Sequence, residues 1–324
     1  MDGRKETVRK AVARQNPERI PLLYAKSLEK SDIINIPVVN HFTGSSGNVS
    51  EWGFTWAHVG NELLMGQPER PVIGEWNSID RFEVPDPRVP GRFAHVREIM
   101  ESYGPDRYYK ANFILSGFAV ISMLRGFENV CEDFYCQREN LLELTDRVFR
   151  FEKEVIRQAA KYGFSAIGLA DDWGTQTSLM ISPDLWRTIF KPRYQEEIEL
   201  AHSLGLAVYL HSCGYIFDII EDLIEIGLDI LNPGQPDING VEAMGEGFGG
   251  RICFACPPSY QSVGISGTED DIRAQIRLYQ EHLYHSGGLI GIIPEDSAAL
   301  GISERSFQVM EESFIKGVLR NDVV

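Results

Sequence analysis

Five short apolar runs punctuate the second half of this chain: Phe164–Ala170, Leu206–Leu210, Leu228–Leu231, Ile252–Ala255 and Leu289–Ile293. Each is short for a helix and reads as a strand, and the wholly apolar run from Leu206 to Leu210 reads as a buried one. The stretches between them read as helices with defined ends. Ser182-Pro183 sets a capping serine before a proline at the first helical position, and that helix runs to Leu204, stopped by Gly205. Phe217 to Ile226 stops at Gly227, Thr268 caps an acidic-started helix to about His285, and a last helix follows Ser303. Strands alternating with helices imply parallel strands joined by crossover helices.

The first half adds a helix over 4–14 closed by Asn16-Pro17, a strand at Arg19–Tyr24 and a strand at Tyr108–Leu115. Leu141, Leu144, Val148, Phe151, Val155 and Ile156 form a helical stripe over Asn140–Tyr162. No glycine-rich fingerprint follows the first strand, so an open dinucleotide-binding sheet loses its main support. The pattern predicts an α/β chain folded as a single (β/α)8 TIM barrel spanning 1–324 with no domain boundary. Residues 31–90 read as irregular decoration, rich in aromatics (Glu51-Trp-Gly-Phe-Thr-Trp56, Trp76) and prolines (Val84-Pro-Asp-Pro-Arg-Val-Pro-Gly91).

Composition narrows the partners. A net charge of −16 argues against nucleic acid or an anionic membrane surface. No stretch approaches the roughly 20 apolar residues of a membrane-spanning helix. The charged start, Met-Asp-Gly-Arg-Lys-Glu-Thr, lacks the apolar core of a signal peptide. Five cysteines without a tight framework suit reduced thiols in a cytoplasm. The expectation is a cytoplasmic protein acting on a small molecule.

In a barrel of this type, reacting groups sit at the C-terminal ends of the strands. The residues leaving the strands here are Asp171 and Asp172, His211 and Cys213, Asn232 and Gln235, Cys256, and Glu295 with Asp296. His211 and Cys213 are two residues apart in an extended segment, so an imidazole and a thiolate point the same way, as a zinc site needs. The alternative is a core histidine beside a buried free cysteine. Asp171 and Asp172 suit metal ligation, orientation of His211, substrate binding, or capping of the turn after their strand.

Several stretches resemble the uroporphyrinogen decarboxylase superfamily: Leu124-Arg-Gly-Phe-Glu-Asn129, Asp171-Asp-Trp-Gly-Thr-Gln176, Ile181-Ser-Pro-Asp-Leu-Trp186, Phe190-Lys-Pro-Arg193, Leu210-His-Ser-Cys-Gly214, Asp229-Ile-Leu-Asn-Pro233 and Gly287-Gly288-Leu-Ile. The resemblance covers nearly the whole chain and implies a single (β/α)8 barrel. It implies two chemistries: cofactor-free decarboxylation of uroporphyrinogen, and zinc-dependent methyl transfer to or from a corrinoid protein.

Two features favour the second. The decarboxylases carry arginines in an N-terminal Met-Arg-Gln-Ala-Gly-Arg-like segment that clamp the substrate carboxylates, whereas Leu22-Leu-Tyr-Ala-Lys-Ser-Leu-Glu29 has no arginine. The methyltransferases use His-x-Cys and a later third ligand, usually Cys, after the last strand; laid on this chain, that position falls on Glu295. Cys256 competes with Glu295 as third ligand. No Asp-x-His-x-x-Gly corrinoid motif is present, so the resemblance implies a corrinoid carried by a partner protein.

The expected activity moves a methyl group between that corrinoid and a small substrate such as an aryl methyl ether or methylamine. Tyr24, Trp52, Trp56 and Trp173, with Asn232 and Gln235, are the candidate substrate wall. The alternatives are a decarboxylase of uroporphyrinogen or a related carboxylate, with Asp171 or Asp172 on the substrate, and a barrel that only binds.

Overall fold

The computed structural model describes residues 2–39, 42–43, 49–57, 67–295 and 300–317. Eight strands form one all-parallel sheet: β1 (Leu22–Tyr24), β2 (Ile33–Val39), β3 (Tyr108–Phe113), β4 (Ala166–Ala170), β5 (Ala207–Ser212), β6 (Ile230–Pro233), β7 (Cys253–Cys256) and β8 (Leu289–Ile293). Their hydrogen-bonded order is β1-β8-β7-β6-β5-β4-β3-β2, so each strand lies beside its neighbour in sequence and the sheet curls into a (β/α)8 barrel. The gap between β1 and β2 carries no ladder. Asp32, 1% exposed, bridges it: its backbone N–H donates to Leu22 O at 2.9 Å, and its carboxylate accepts from Leu22 N at 2.8 Å. Arg19 pairs with the same carboxylate at 2.6 Å.

Strand pleating sorts the side chains. Leu23, Ile33, Tyr108, Ala166, Tyr209, Ile230, Cys253, Ala255, Ile290 and Ile292 fill the barrel interior, where Val8 and Ala11 of α1 (Arg4–Val12) join them. Alternate strand residues such as Leu22, Tyr24, Ile34, Ile167, Leu210 and Phe254 pack outward under the helices. Around the barrel follow α2 (Val96–Tyr103), α3 (Gly117–Arg125), α4 (Phe127–Cys136), α5 (Arg138–Ala159), α6 (Pro183–Ile189), α7 (Lys191–Ser203), α8 (Phe217–Glu225), α9 (Val241–Phe248), α10 (Glu269–His282) and α11 (Glu304–Gly317). The α5 stripe is buried as its periodicity predicts, each large apolar side chain contributing about 1.5–3 kcal/mol. Ser182 accepts from Leu185 N at the start of α6, and Thr268 with Asp271 forms a capping box on α10. No helix among the described residues is long and apolar enough to cross a membrane.

Two sequence expectations change. The stretch expected to run as one helix from Pro183 to Leu204 breaks at Phe190, because Pro192 lies in the first turn of a new helix, α7. The segment read as decoration from residue 31 begins with a barrel strand, β2. Its Pro37 masks the signal. The ladder to β3 is irregular between Pro37 and Val39, which lets the sheet tolerate a residue without an N–H.

Candidate metal centre

β4 and β5 end side by side, with Ala170 paired to His211. The next residue but one after Ala170 is Asp172, and the next but one after His211 is Cys213. One ligand atom from each of Asp172, His211 and Cys213 lies within 4.8 Å of the others. Cys213 Sγ is 3.5 Å from His211 Nε2, and Asp172 Oδ1 is 3.7 Å from the same nitrogen. The site opens outward: the His211 side chain is 33% exposed and that of Asp172 43%.

The imidazole is held in one tautomer. His211 Nδ1 is 2.7 Å from Asn232 Oδ1, while Asn232 Nδ2 donates to Ala255 O at 2.6 Å. The amide is thereby turned with its oxygen toward the ring, so Nδ1 carries the proton and Nε2 presents a lone pair to Cys213 and Asp172. Asp172 is oriented in turn, its Oδ1 accepting from Cys213 N at 2.8 Å. Burial pushes the Cys213 thiol up to about 12, helped by the charge of Asp172 and a hydrogen bond to it. A metal ion reverses that preference, because a coordinating thiol is deprotonated outright. A nitrogen, a sulfur and a carboxylate oxygen converging from one rim, with solvent on the other side, fit a catalytic zinc site with an open position.

Gly234, just after β6, borders the pair closely. A Cβ there would stand 2.9 Å from Cys213 Sγ and 3.2 Å from His211 Cε1. Gln235 accepts from Gly214 N at 2.6 Å and fixes the turn that carries Cys213. Tyr260, in the turn after β7, was not foreseen from sequence; burial and the nearby Cys213 sulfur push its phenol above the usual range. Only the Pro257-Pro258 pair ahead of it hints at a shaped turn.

The other sequence candidates lie elsewhere. Asp171 is fully buried and faces α3, accepting from Phe118 N at 2.8 Å, from Ala119 N at 2.7 Å and from the Tyr194 hydroxyl. Together with Glu152, which accepts from Gly117 N at 2.9 Å, it caps that helix. Burial raises the Asp171 carboxyl well above its usual range, against the pull of those hydrogen bonds. Glu295, at φ 49°, turns its carboxylate onto the chain after β1, where Lys26 N donates at 2.9 Å and Ser27 N at 2.7 Å. It does not join the cluster. Nor does Cys256, wholly buried on the outward face of β7, because the inward positions of that strand are Cys253 and Ala255.

Three of the four aromatic candidates, Tyr24, Trp52 and Trp173, are packing residues here. Tyr24 is 4% exposed on the outward side of β1, where burial and Glu311 raise its phenol. Trp52 packs edge-on to Phe151. Trp173 is fully buried, stacked on Phe118 with its Nε1 donating to Tyr194. The side chain of Trp56 lies outside the described residues.

A methyltransferase from Methanosarcina mazei superposes with a TM-score of 0.76 at 16% identity, covering 97% of this chain and 98% of that one. A D-psicose 3-epimerase from Clostridium cellulolyticum H10 gives a TM-score of 0.46 at 7% identity, covering 95% of this chain and 91% of that one. No curated protein sequence matches the chain. The model of the uroporphyrinogen decarboxylase (URO-D) family matches residues 58–237, a stretch that contains Asp172, His211, Cys213 and the Asn232 that orients the imidazole, and the chain belongs to that family.

Proposed function

We propose that this protein is a zinc-dependent methyltransferase that moves a methyl group between a small methylated substrate and a corrinoid carried by a separate protein. The observation that carries the reading is the convergence of Asp172, His211 and Cys213 at the open rim of the barrel. The same barrel occurs in the methyltransferase from Methanosarcina mazei, a likeness of fold. The donor set is what supports the chemistry.

Zinc held there supplies a Lewis acid toward the heteroatom that bears or receives the methyl group. The chain does the rest. Asn232 keeps the His211 lone pair on Nε2, Asp172 and Cys213 complete the ligand set, and the backbone of Cys213 steadies Asp172. The part-exposed rim is where, on this reading, the substrate heteroatom and the corrinoid partner would meet.

The test is zinc content with methyl transfer to free cob(I)alamin from aryl methyl ethers and methylamines, for wild type and His211→Ala. One zinc per chain, with transfer lost in the variant, is expected. A chain without zinc after zinc-replete purification overturns the reading. Decarboxylation is the second reading, favoured by the family match; turnover of uroporphyrinogen by the zinc-free chain would establish it instead.

A further inference from the structure

Among the described residues, the barrel interior holds a lysine that the metal site does not use. Lys110, on β3, is 3% exposed, and its Nζ lies 3.3 Å from the centroid of the Tyr209 ring. Its stem crosses the interior over β4 at Gly168, where a Cβ would stand 2.9 Å from both Lys110 Cδ and Cε. The same absent Cβ would stand 2.9 Å from Asn112 Oδ1. Gly168 therefore makes the space in which Lys110 and Asn112 lie together. On the other side, β2 sets Asn35 in register with Lys110, and the buried Oδ1 of Asn35 has no hydrogen-bond partner.

No carboxylate among the described residues forms an ion pair with Lys110, and burial alone holds its amine down at about 7. A contact with one aromatic ring returns less than the dehydration of an ammonium costs. A chain that keeps such a residue, and clears a glycine for it, has a position built for a charge it does not itself supply. That position lies close to the metal ligands. Tyr209 and His211 are two residues apart on β5 and face the same interior, about 7 Å along the strand.

We infer that Lys110, flanked by Asn35 and Asn112, anchors a carboxylate on the small methylated substrate whose heteroatom meets Asp172, His211 and Cys213. The inference rests on the methyltransferase reading for the substrate's methyl group, and on the interior geometry for its carboxylate. An arriving anion restores the charge of the amine and takes Lys110 from the Tyr209 ring. The substrate class is a methylated carboxylic acid with a few atoms between the acid and the methyl-bearing heteroatom.

Calorimetric titration of the zinc-loaded protein with 3- and 4-methoxybenzoate, and with the matching uncharged methoxybenzamides, tests this. The acids are expected to bind at least tenfold more tightly than the amides, and Lys110→Met to abolish the difference with zinc content unchanged. Should Lys110→Met not fold, Asn35→Asp answers the same question. It places a carboxylate in register with Lys110 and is expected to exclude the acids while keeping the fold. Equal binding of acids and amides by wild type, or a preference that survives in Asn35→Asp, overturns the inference. Acid-selective binding without methyl transfer to cob(I)alamin would instead overturn the methyltransferase reading and leave the Lys110 site standing.

Discussion

His211 Nδ1 lies 2.7 Å from Asn232 Oδ1, and this one contact decides which ring nitrogen is free to bind a metal. Asn232→Ala removes the acceptor and lets the ring choose its tautomer. Zinc affinity is expected to fall about 10–100-fold, whereas Asn232→Asp, which keeps an acceptor oxygen, retains most of it. Competition against a chromogenic chelator measures both.

The two adjacent aspartates separate cleanly. Asp171→Ala strips the acceptor from Phe118 N, Ala119 N and the Tyr194 hydroxyl in a fully buried site, for an expected loss of about 2–4 kcal/mol of stability. The folded fraction should still bind one zinc. Asp172→Ala, at the solvent-facing rim, is expected to leave urea unfolding within about 1 kcal/mol of wild type and to lower zinc affinity. The opposite pattern would place Asp171, not Asp172, at the metal.

Glu295 closes the barrel seam rather than the metal site. Its carboxylate accepts from Lys26 N and Ser27 N, so Glu295→Ala is expected to cost about 1–3 kcal/mol by leaving those donors unmatched. Zinc stoichiometry should stay at that of wild type. Loss of zinc with unchanged stability would assign Glu295 as a ligand after all.

Lys110 sets a pH dependence of stability. Its amine is held at about 7 in the fold against 10.5 when free, because burial disfavours the charged form. Between those values the unfolded chain carries a proton the folded chain lacks, so this residue's contribution rises with pH from about 7 to about 10.5 and is flat below. The slope is roughly 1.4 kcal/mol per pH unit. Among the described residues Tyr209 from β5 packs on it and Tyr108 stands two positions before it on its own strand, and burial raises both phenols so that they stay neutral across the window. β2 and β4 present Asn35 and Gly168, which do not titrate. Unfolding free energies of wild type minus Lys110→Met at pH 7, 8 and 9 should rise toward that slope; a flat difference would refute the burial of an uncharged amine.

Much of the scaffold was legible in the chain itself. Seven of the eight strands, the α5 stripe and the caps at Ser182 and Thr268 are local patterns, set by pleat, helical period and hydrogen-bonding side chains within a few residues. β2 escaped because Pro37 reads as a breaker, and only its position against β3 shows that the ladder gives way there. The His211–Cys213 pair was legible for the same reason as the strands: a two-residue spacing in an extended segment fixes a common direction.

What lay beyond the sequence was every question of facing. Asp171 and Asp172 are chemically identical neighbours, yet the pleat turns one onto the first N–H groups of α3 and the other onto His211. Whether the end of β8 reaches the metal depends on where the chain after β1 sets the N–H groups of Lys26 and Ser27, which claim Glu295 first. Nothing within a few residues of Lys110 marks it, since its significance comes from Tyr209 and Gly168 on two other strands. Spacing along the chain determined which groups exist and which pair can point together; the closed barrel decided what stands opposite them, because only tertiary packing brings residues distant in sequence to hydrogen-bonding distance.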